Sequence, residues 1–268
     1  MPLDLTSARA LRAGALLACL LLASILACAG LPVHASVVVS GTRVIYPADA
    51  RDVTVRLTNR RPVPALVEAW IERDGAHPAR DVVPFAMTPP LFRLDPGKGQ
   101  ALRIHRLPAA LPSDRESLFW LNVLDVPADA PMAVDGNALK MAVRSRLKVF
   151  VRPSGLPGTA DRAPARLAWR LVEGESTLRI DNPTPFFVTV ARVVIGDGAM
   201  DFRGGMVSPF GHVALSLDAP RIAGGEGEAR LRVDALRAAG RVGFHVVNDA
   251  GGVVVHSARL SAGEDAAR

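Results

Sequence analysis

From Ser36 onward, apolar and polar residues alternate with period two in short runs, and turn-forming residues break those runs about every ten positions. No stretch sustains the 3.6-residue repeat of an amphipathic helix, so the pattern restricts the chain to an all-β fold. The first half offers strands at Ser36 to Ser40, Val53 to Asn59, Ala65 to Ile71, Ala101 to His105, Ser117 to Asp125, Leu139 to Val143 and Leu147 to Val151. Asp74-Gly75 carries the residue types of a hairpin turn with positive φ.

Arg152-Pro153-Ser154-Gly155-Leu156-Pro157-Gly158 then interrupts the alternation, and a domain junction is expected there. Beyond it the strand candidates are Leu167 to Val172, Leu178 to Asp181, Phe187 to Val194, His212 to Leu217, Arg230 to Val233, Val242 to Val247 and Val253 to His256. Seven or so strands in about 100 residues on each side is the count of two immunoglobulin-like sandwiches in tandem, with residues 36–155 as the first and 156–262 as the second. One large barrel is the competing arrangement on strand count alone.

Ahead of the sandwiches, Arg9 and Arg12 precede an apolar run from Ala13 to Ala29, and Val33-His34-Ala35 places small residues before Ser36. This is the layout of a secretory signal with cleavage after Ala35. A retained anchor is the alternative, but the run is short of the roughly 20 residues of a spanning helix. A lipoprotein signal ending at Cys28 is a further alternative, although Leu26-Ala27 fits such a motif poorly. Both cysteines, Cys19 and Cys28, lie in this stretch, so the cleaved chain has no disulfide and must hold itself by core burial. The loss of Asp4, Arg9 and Arg12 leaves 30 basic and 25 acidic side chains. No later segment is expected to insert in a membrane.

Little in the mature sequence points to catalysis. Its five histidines show no HExxH or paired-ligand spacing, so no metal or other cofactor is expected. GxSxG is absent, which removes the serine nucleophile elbow. Gly204-Gly205, Gly224-Gly225 and Gly251-Gly252 lack the Lys and Ser/Thr of a phosphate loop and are read as turns. The basic residues are spread over both halves without an aromatic stacking motif, so nucleic acid is not an expected partner.

Two cations interrupt the alternation, one near the start of the first strand region and one in the last strand before the expected junction. Arg43 follows Thr42 shortly before Tyr46, the only tyrosine, and Lys148 lies in the last strand before Arg152-Pro153. Two such charges beside a domain junction can hold one carboxylate, although a solvated surface cation is the ordinary reading of each.

Seven motifs in order carry a resemblance over about residues 36 to 257. They are Thr42-Arg43, Pro64 through Trp70-Ile71-Glu72, Thr88-Pro89-Pro90, Arg93-Leu94-Asp95-Pro96-Gly97, Asp114-Arg115-Glu116-Ser117-Leu118-Phe119, Leu147-Lys148-Val149-Phe150 with Arg152-Pro153, and Asn182-Pro183-Thr184-Pro185-Phe186. With these the chain resembles the periplasmic pilus-assembly chaperones (PapD-like). The resemblance implies two immunoglobulin-like domains around a cleft, in which Arg43 and Lys148 anchor the C-terminal carboxylate of a pilus subunit. It implies further that Leu139, Met141 and Val143 form a donor strand completing the subunit's sandwich, the mode of strand addition by which chaperones of this family hold pilins. Ordinary core is the competing reading of those three.

Lys148 has the opposite parity, so a bulge, or service of a different surface by the strand, is required. Glu116, Arg152 and Asp249 match the family's interdomain ion network, and Pro89 its cis-proline turn. The short, cysteine-free segment from Pro127 to Gly136 resembles the subclass that builds rod-like pili, while the second domain lacks the family's cysteine pair. The implied partners are pilus subunits and an outer-membrane usher in the periplasm, with a second copy of the chain able to cap the donor strand. A secreted two-domain adhesion or structural protein is the rival, and it has no need of Arg43 and Lys148.

Overall fold

A computed structural model describes residues 37–73, 83–128, 141–172, 177–195, 198–217, 234 and 236–261. Among the described residues nine strands precede the junction: β1 (Val37–Val39), β2 (Arg43–Pro47), β3 (Asp52–Asn59), β4 (Ala65–Glu72), β5 (Phe85–Thr88), β6 (Leu91–Leu94), β7 (Gly99–Arg106), β8 (Ser117–Pro127) and β9 (Val143–Arg152). They form a sheet β1-β3-β7-β5 and a second sheet β2-β9-β8-β4-β6. The inward faces supply one core, in which Val55, Leu57, Leu102 and Ile104 of the first sheet are buried with Val67, Phe119, Leu121 and Val149 of the second. Such inward alternation from two sheets is the construction of a sandwich.

Tyr46 closes one end of this core. Its ring meets Phe85 edge-on at 5.8 Å, and its hydroxyl donates to Arg51 O and accepts from Arg106 N, each at 3.0 Å. That buried hydroxyl is therefore satisfied on both sides.

A 3-10 helical stretch at Ala160–Arg166 leads into β10 (Ala168–Leu171), β11 (Thr177–Asp181), β12 (Val188–Ile195), β13 (Gly198–Val207), β14 (His212–Ser216), β15 (Arg241–Val247) and β16 (Val253–Ser261). Their order is β13-β12-β15-β16-β10-β11-β14, and β16 joins the two groups by passing from antiparallel pairing with β15 to parallel pairing with β10 at Trp169 and Arg170. A separate core forms here around Trp169 and Phe244, whose rings lie 4.7 Å apart. The protein is thus all-β, with two immunoglobulin-like domains and a core in each.

Several sequence expectations need correction. Leu139 to Val143 and Leu147 to Val151 are not two strands: Val143 begins a single β9 that runs unbroken to Arg152, while Leu139 lies outside the described residues and Met141 precedes the strand. Arg144-Ser145-Arg146 resembled a break because it is polar, but its arginines lie on the face of β9 turned away from the core. Gly204-Gly205 is no turn; both residues lie within β13, Gly205 opposite Val190, beside an irregularity in the β12 pairing. The strands β2, β5 and β6 have four or five residues and adjoin prolines, too short for a period-two signal. Asp74-Gly75, Gly224-Gly225 and Arg230 to Val233 lie outside the described residues.

Candidate functional site

β2 lies parallel to β9, and their register sets Arg43 opposite Lys148 and Pro47 opposite Arg152. On β9, Leu147, Val149 and Val151 enter the core, so Lys148, Phe150 and Arg152 emerge on the other face, toward the second domain. The ladder between β8 and β9 pairs every residue from Val143 to Val151 without a shift. Parity alone therefore delivers Lys148 to the domain junction, and no bulge is needed.

Both cations reach across. Arg43 Nη1 donates to Val247 O at 2.8 Å, and Lys148 Nζ donates to Thr189 Oγ1 at 3.1 Å. Burial draws Arg43 below its ordinary value, against the opposing pull of Asp249. Burial, and then the like charge of Arg43, bring Lys148 down to about 8. Two adjoining cations of which one is depressed in this way form a site that gains by admitting an anion. Beside Arg43 a cavity of about 230 Å³ opens between the domains, with Phe150, Phe187, Arg152 and Asp249 in its wall.

Next to the pair lies an ionic chain. Arg152 Nε donates to Glu116 Oε1 at 2.6 Å, and its Nη1 and Nη2 donate to Asp249 at 2.8 and 3.2 Å. Glu116 is almost fully buried, and its second oxygen accepts from Phe187 N at 2.7 Å, so it binds both domains. Burial raises the Glu116 carboxyl, while Phe187 N–H and Arg152 hold it down in part. For Arg152 burial acts downward, but its bonds to Asp249 and Glu116 outweigh it and the guanidinium rises.

The loop that receives Glu116 is built by Asn182. Its amide donates to Phe186 O at 2.7 Å and its Oδ1 accepts from Thr184 N and Oγ1 at 3.0 and 2.7 Å. This fixes Pro185 O to accept from Glu116 N at 2.9 Å. Gly251, at φ +85°, turns β15 into β16 against the first domain; a Cβ there would stand 2.5 Å from Thr42 Oγ1.

The residues singled out in the sequence thus fall into two groups. Arg43, Lys148, Glu116, Arg152 and Asp249 converge at the junction, and the Thr88–Pro89 peptide is cis at a separate place. Val143 is half-buried at the start of β9 and Met141 is 63% exposed, so Met141 is not core. The β2 ladder covers only Lys148 to Arg152, which leaves the part of β9 ahead of Lys148 with β8 as its strand neighbour among the described residues. Thr189 and the Val247 carbonyl carried no sequence signal, since a threonine and a backbone oxygen inside a strand look like any others. Among the described residues no group of His, Cys, Asp and Glu is placed to hold a metal ion, and no helix is long and apolar enough to cross a membrane.

Residues 36–157 match the family described as pili and flagellar-assembly chaperone, PapD N-terminal domain, and residues 162–258 match the pili assembly chaperone PapD, C-terminal domain. The chain is 37% identical to the probable fimbrial chaperone YadV of Escherichia coli (strain K12), over 84% of this chain and 90% of that protein. It is 40% identical to chaperone protein FimB/FhaD of Bordetella pertussis, over 85% and 89%. Among solved structures it is similar to the CupB2 chaperone of Pseudomonas aeruginosa, with TM-score 0.65 and 36% identity over 84% of this chain and 100% of that one. It is also similar to the SafB chaperone crystallised with the Salmonella enterica SafA pilin, with TM-score 0.68 and 28% identity over 84% and 96%.

Proposed function

The chain belongs to the PapD family of pilus-assembly chaperones, and from that premise we propose that it captures a pilus subunit by its C-terminal carboxylate in the periplasm, after cleavage of a signal at Ala35. The observation that carries this reading is the placement of Lys148 beside Arg43, with burial and a like charge acting on its ammonium. A chain-terminal carboxylate is a label every subunit has once, and charge-assisted bonds to it from Arg and Lys are stronger than neutral ones.

In the same reading the subunit's last strand pairs with β9 ahead of Lys148, and Leu139, Met141 and Val143 supply apolar side chains to a sandwich lacking a strand. Each such side chain, once buried, contributes roughly 1.5 to 3 kcal/mol. Glu116, Arg152 and Asp249 set the angle between two domains taken as 36–155 and 156–262. The subunit then passes to an outer-membrane usher, where its neighbour's own extension replaces β9 by packing better. No nucleotide, cofactor or catalytic step enters this reading. The test is periplasmic co-expression with a candidate subunit: a one-to-one soluble complex is expected with the unaltered chain and none with Arg43→Ala or Lys148→Ala. Full capture by both variants removes the anchoring role.

A further inference from the structure

Of the three candidate donor residues, Met141 is the one whose chemistry can change after the chain is made. Leu139 and Val143 end in saturated hydrocarbon, whereas the thioether of Met141 carries lone pairs open to two-electron oxidants. The fold leaves that sulfur accessible: Met141 is 63% exposed and stands two residues ahead of β9, in phase with Val143, the first residue of the strand. Elsewhere among the described residues, Met87 packs against the core of the first domain and Met206 is half-buried in β13. The cleaved chain has no cysteine, so no thiol of its own competes for an oxidant.

A methionine suits a donor position because its unbranched, polarisable chain adapts to the cavity it fills. The same sulfur makes it vulnerable. With a peroxide the step balances without another reactant: sulfur attacks one peroxide oxygen, the O–O bond breaks, an S=O bond forms and water leaves, so sulfur loses the two electrons that the peroxide gains. A methionine sulfoxide reductase with a dithiol as reductant reverses the step and yields thioether, disulfide and water. The sulfoxide oxygen is a strong acceptor on a side chain that was apolar. On the free chain it stays in water. Inside a closed sandwich it loses that water, and burying an acceptor without a partner weakens binding about tenfold or more.

We propose that Met141 is an oxidation switch on subunit capture: its sulfoxide disables an idle chain, while a captured subunit covers the sulfur and spares a loaded one. This rests on the donor reading above. Exposure and coverage give the switch its direction, because a side chain open in the free chain and closed in the complex registers whether a subunit is bound. The compartment expected for the chain is an oxidising one.

The test uses the mature chain, hydrogen peroxide and a candidate subunit. The chain is oxidised and freed of peroxide, and the subunit is then refolded from denaturant in its presence. Peptide mass spectrometry follows each methionine, and the yield of one-to-one complex follows capture. Capture is expected to fall about tenfold in step with Met141 sulfoxide and to return after treatment with methionine sulfoxide reductase and dithiothreitol. The Tm of the oxidised free chain is expected to stay within about 2 °C of the untreated value. In a preformed complex, Met141 is expected to oxidise about tenfold more slowly than in the free chain. In Met141→Leu, peroxide is expected to leave capture at that variant's own untreated level.

Capture that survives full conversion of Met141, in a chain whose capture Met141→Asp does weaken, overturns the switch and leaves the donor reading standing. Undiminished capture by Met141→Asp overturns both the switch and the donor role of Met141. Loss of capture on treating Met141→Leu assigns the effect to another methionine, and unfolding of the oxidised chain assigns it to stability. Equal oxidation rates in free and loaded chain remove the coverage. Each of these three results overturns the proposal.

Discussion

Arg43 and Lys148 stand opposite each other in the parallel ladder of β2 and β9, and the groups they reach, Val247 O and Thr189 Oγ1, belong to residues that are themselves paired across β12 and β15. Register in one domain is thereby matched to register in the other. Neither bond neutralises a charge, so the pair remains two cations at a junction.

Lys148→Met removes a half-buried ammonium that burial and Arg43 both disfavour. The free protein is expected to gain stability, with Tm rising by about 2 to 4 °C per kcal/mol gained, while subunit capture falls by about 2 to 5 kcal/mol. Calorimetric melting and a binding titration check the two signs separately. A variant that loses both stability and capture assigns Lys148 to structure.

Lys148 also sets a pH dependence. Its value in the free chain is about 8, below the ordinary 10.5, and a bound carboxylate favours the ammonium. Capture is therefore level below about pH 8 and weakens as pH rises above it, because binding must then take up a proton. Stability of the free chain moves the other way: the penalty of the buried ammonium is fully present below about 8 and is relieved as pH rises toward the unfolded value. Dissociation constants from about pH 7 to pH 10 show the effect, and Lys148→Arg is expected to flatten it. A level wild-type profile contradicts the assignment.

Met141 is 63% exposed, so Met141→Asp is expected to leave the melting temperature within about 2 °C of wild type while weakening capture at least tenfold. Loss of the fold in this variant returns Met141 to the core.

The ionic chain predicts unequal costs. Arg152→Ala leaves Glu116 buried without its cation, a change of about 3 to 5 kcal/mol. Asp249→Ala removes a more exposed partner, whose loss is expected to cost about 1 kcal/mol or less. Urea unfolding of the two variants measures the difference, and equal losses would mean that Glu116 does not depend on Arg152.

Much of this arrangement was legible in the sequence, because burial in a sandwich imposes period two and most strands of eight or more residues display it; β13, with three glycines in ten residues, does not and was not expected. What escaped was pairing at a distance. The five residues Arg43 to Pro47 do not announce a strand, yet their parallel ladder with β9 is what sets Arg43 beside Lys148. Arg144 and Arg146 show the same limit: they resemble solvated charges in the sequence, and only the registers of β4, β8 and β9 bring Glu72, Asn122 and Trp120 beside them. Parity, in contrast, was informative throughout. The mismatch between Lys148 and Val143 required either a bulge or a different surface, and the unbroken β8 ladder selects the surface.

The central claim is that the subunit's terminal carboxylate is what the chain holds. It is tested most directly by co-purifying the chain with a candidate subunit made in two forms, one ending naturally and one extended by two alanines that displace the carboxylate along the strand. The account predicts a one-to-one complex with the natural form, little or none with the extended form, and no distinction between the forms in Arg43→Ala/Lys148→Ala. Equal recovery of both forms by the unaltered chain would contradict it.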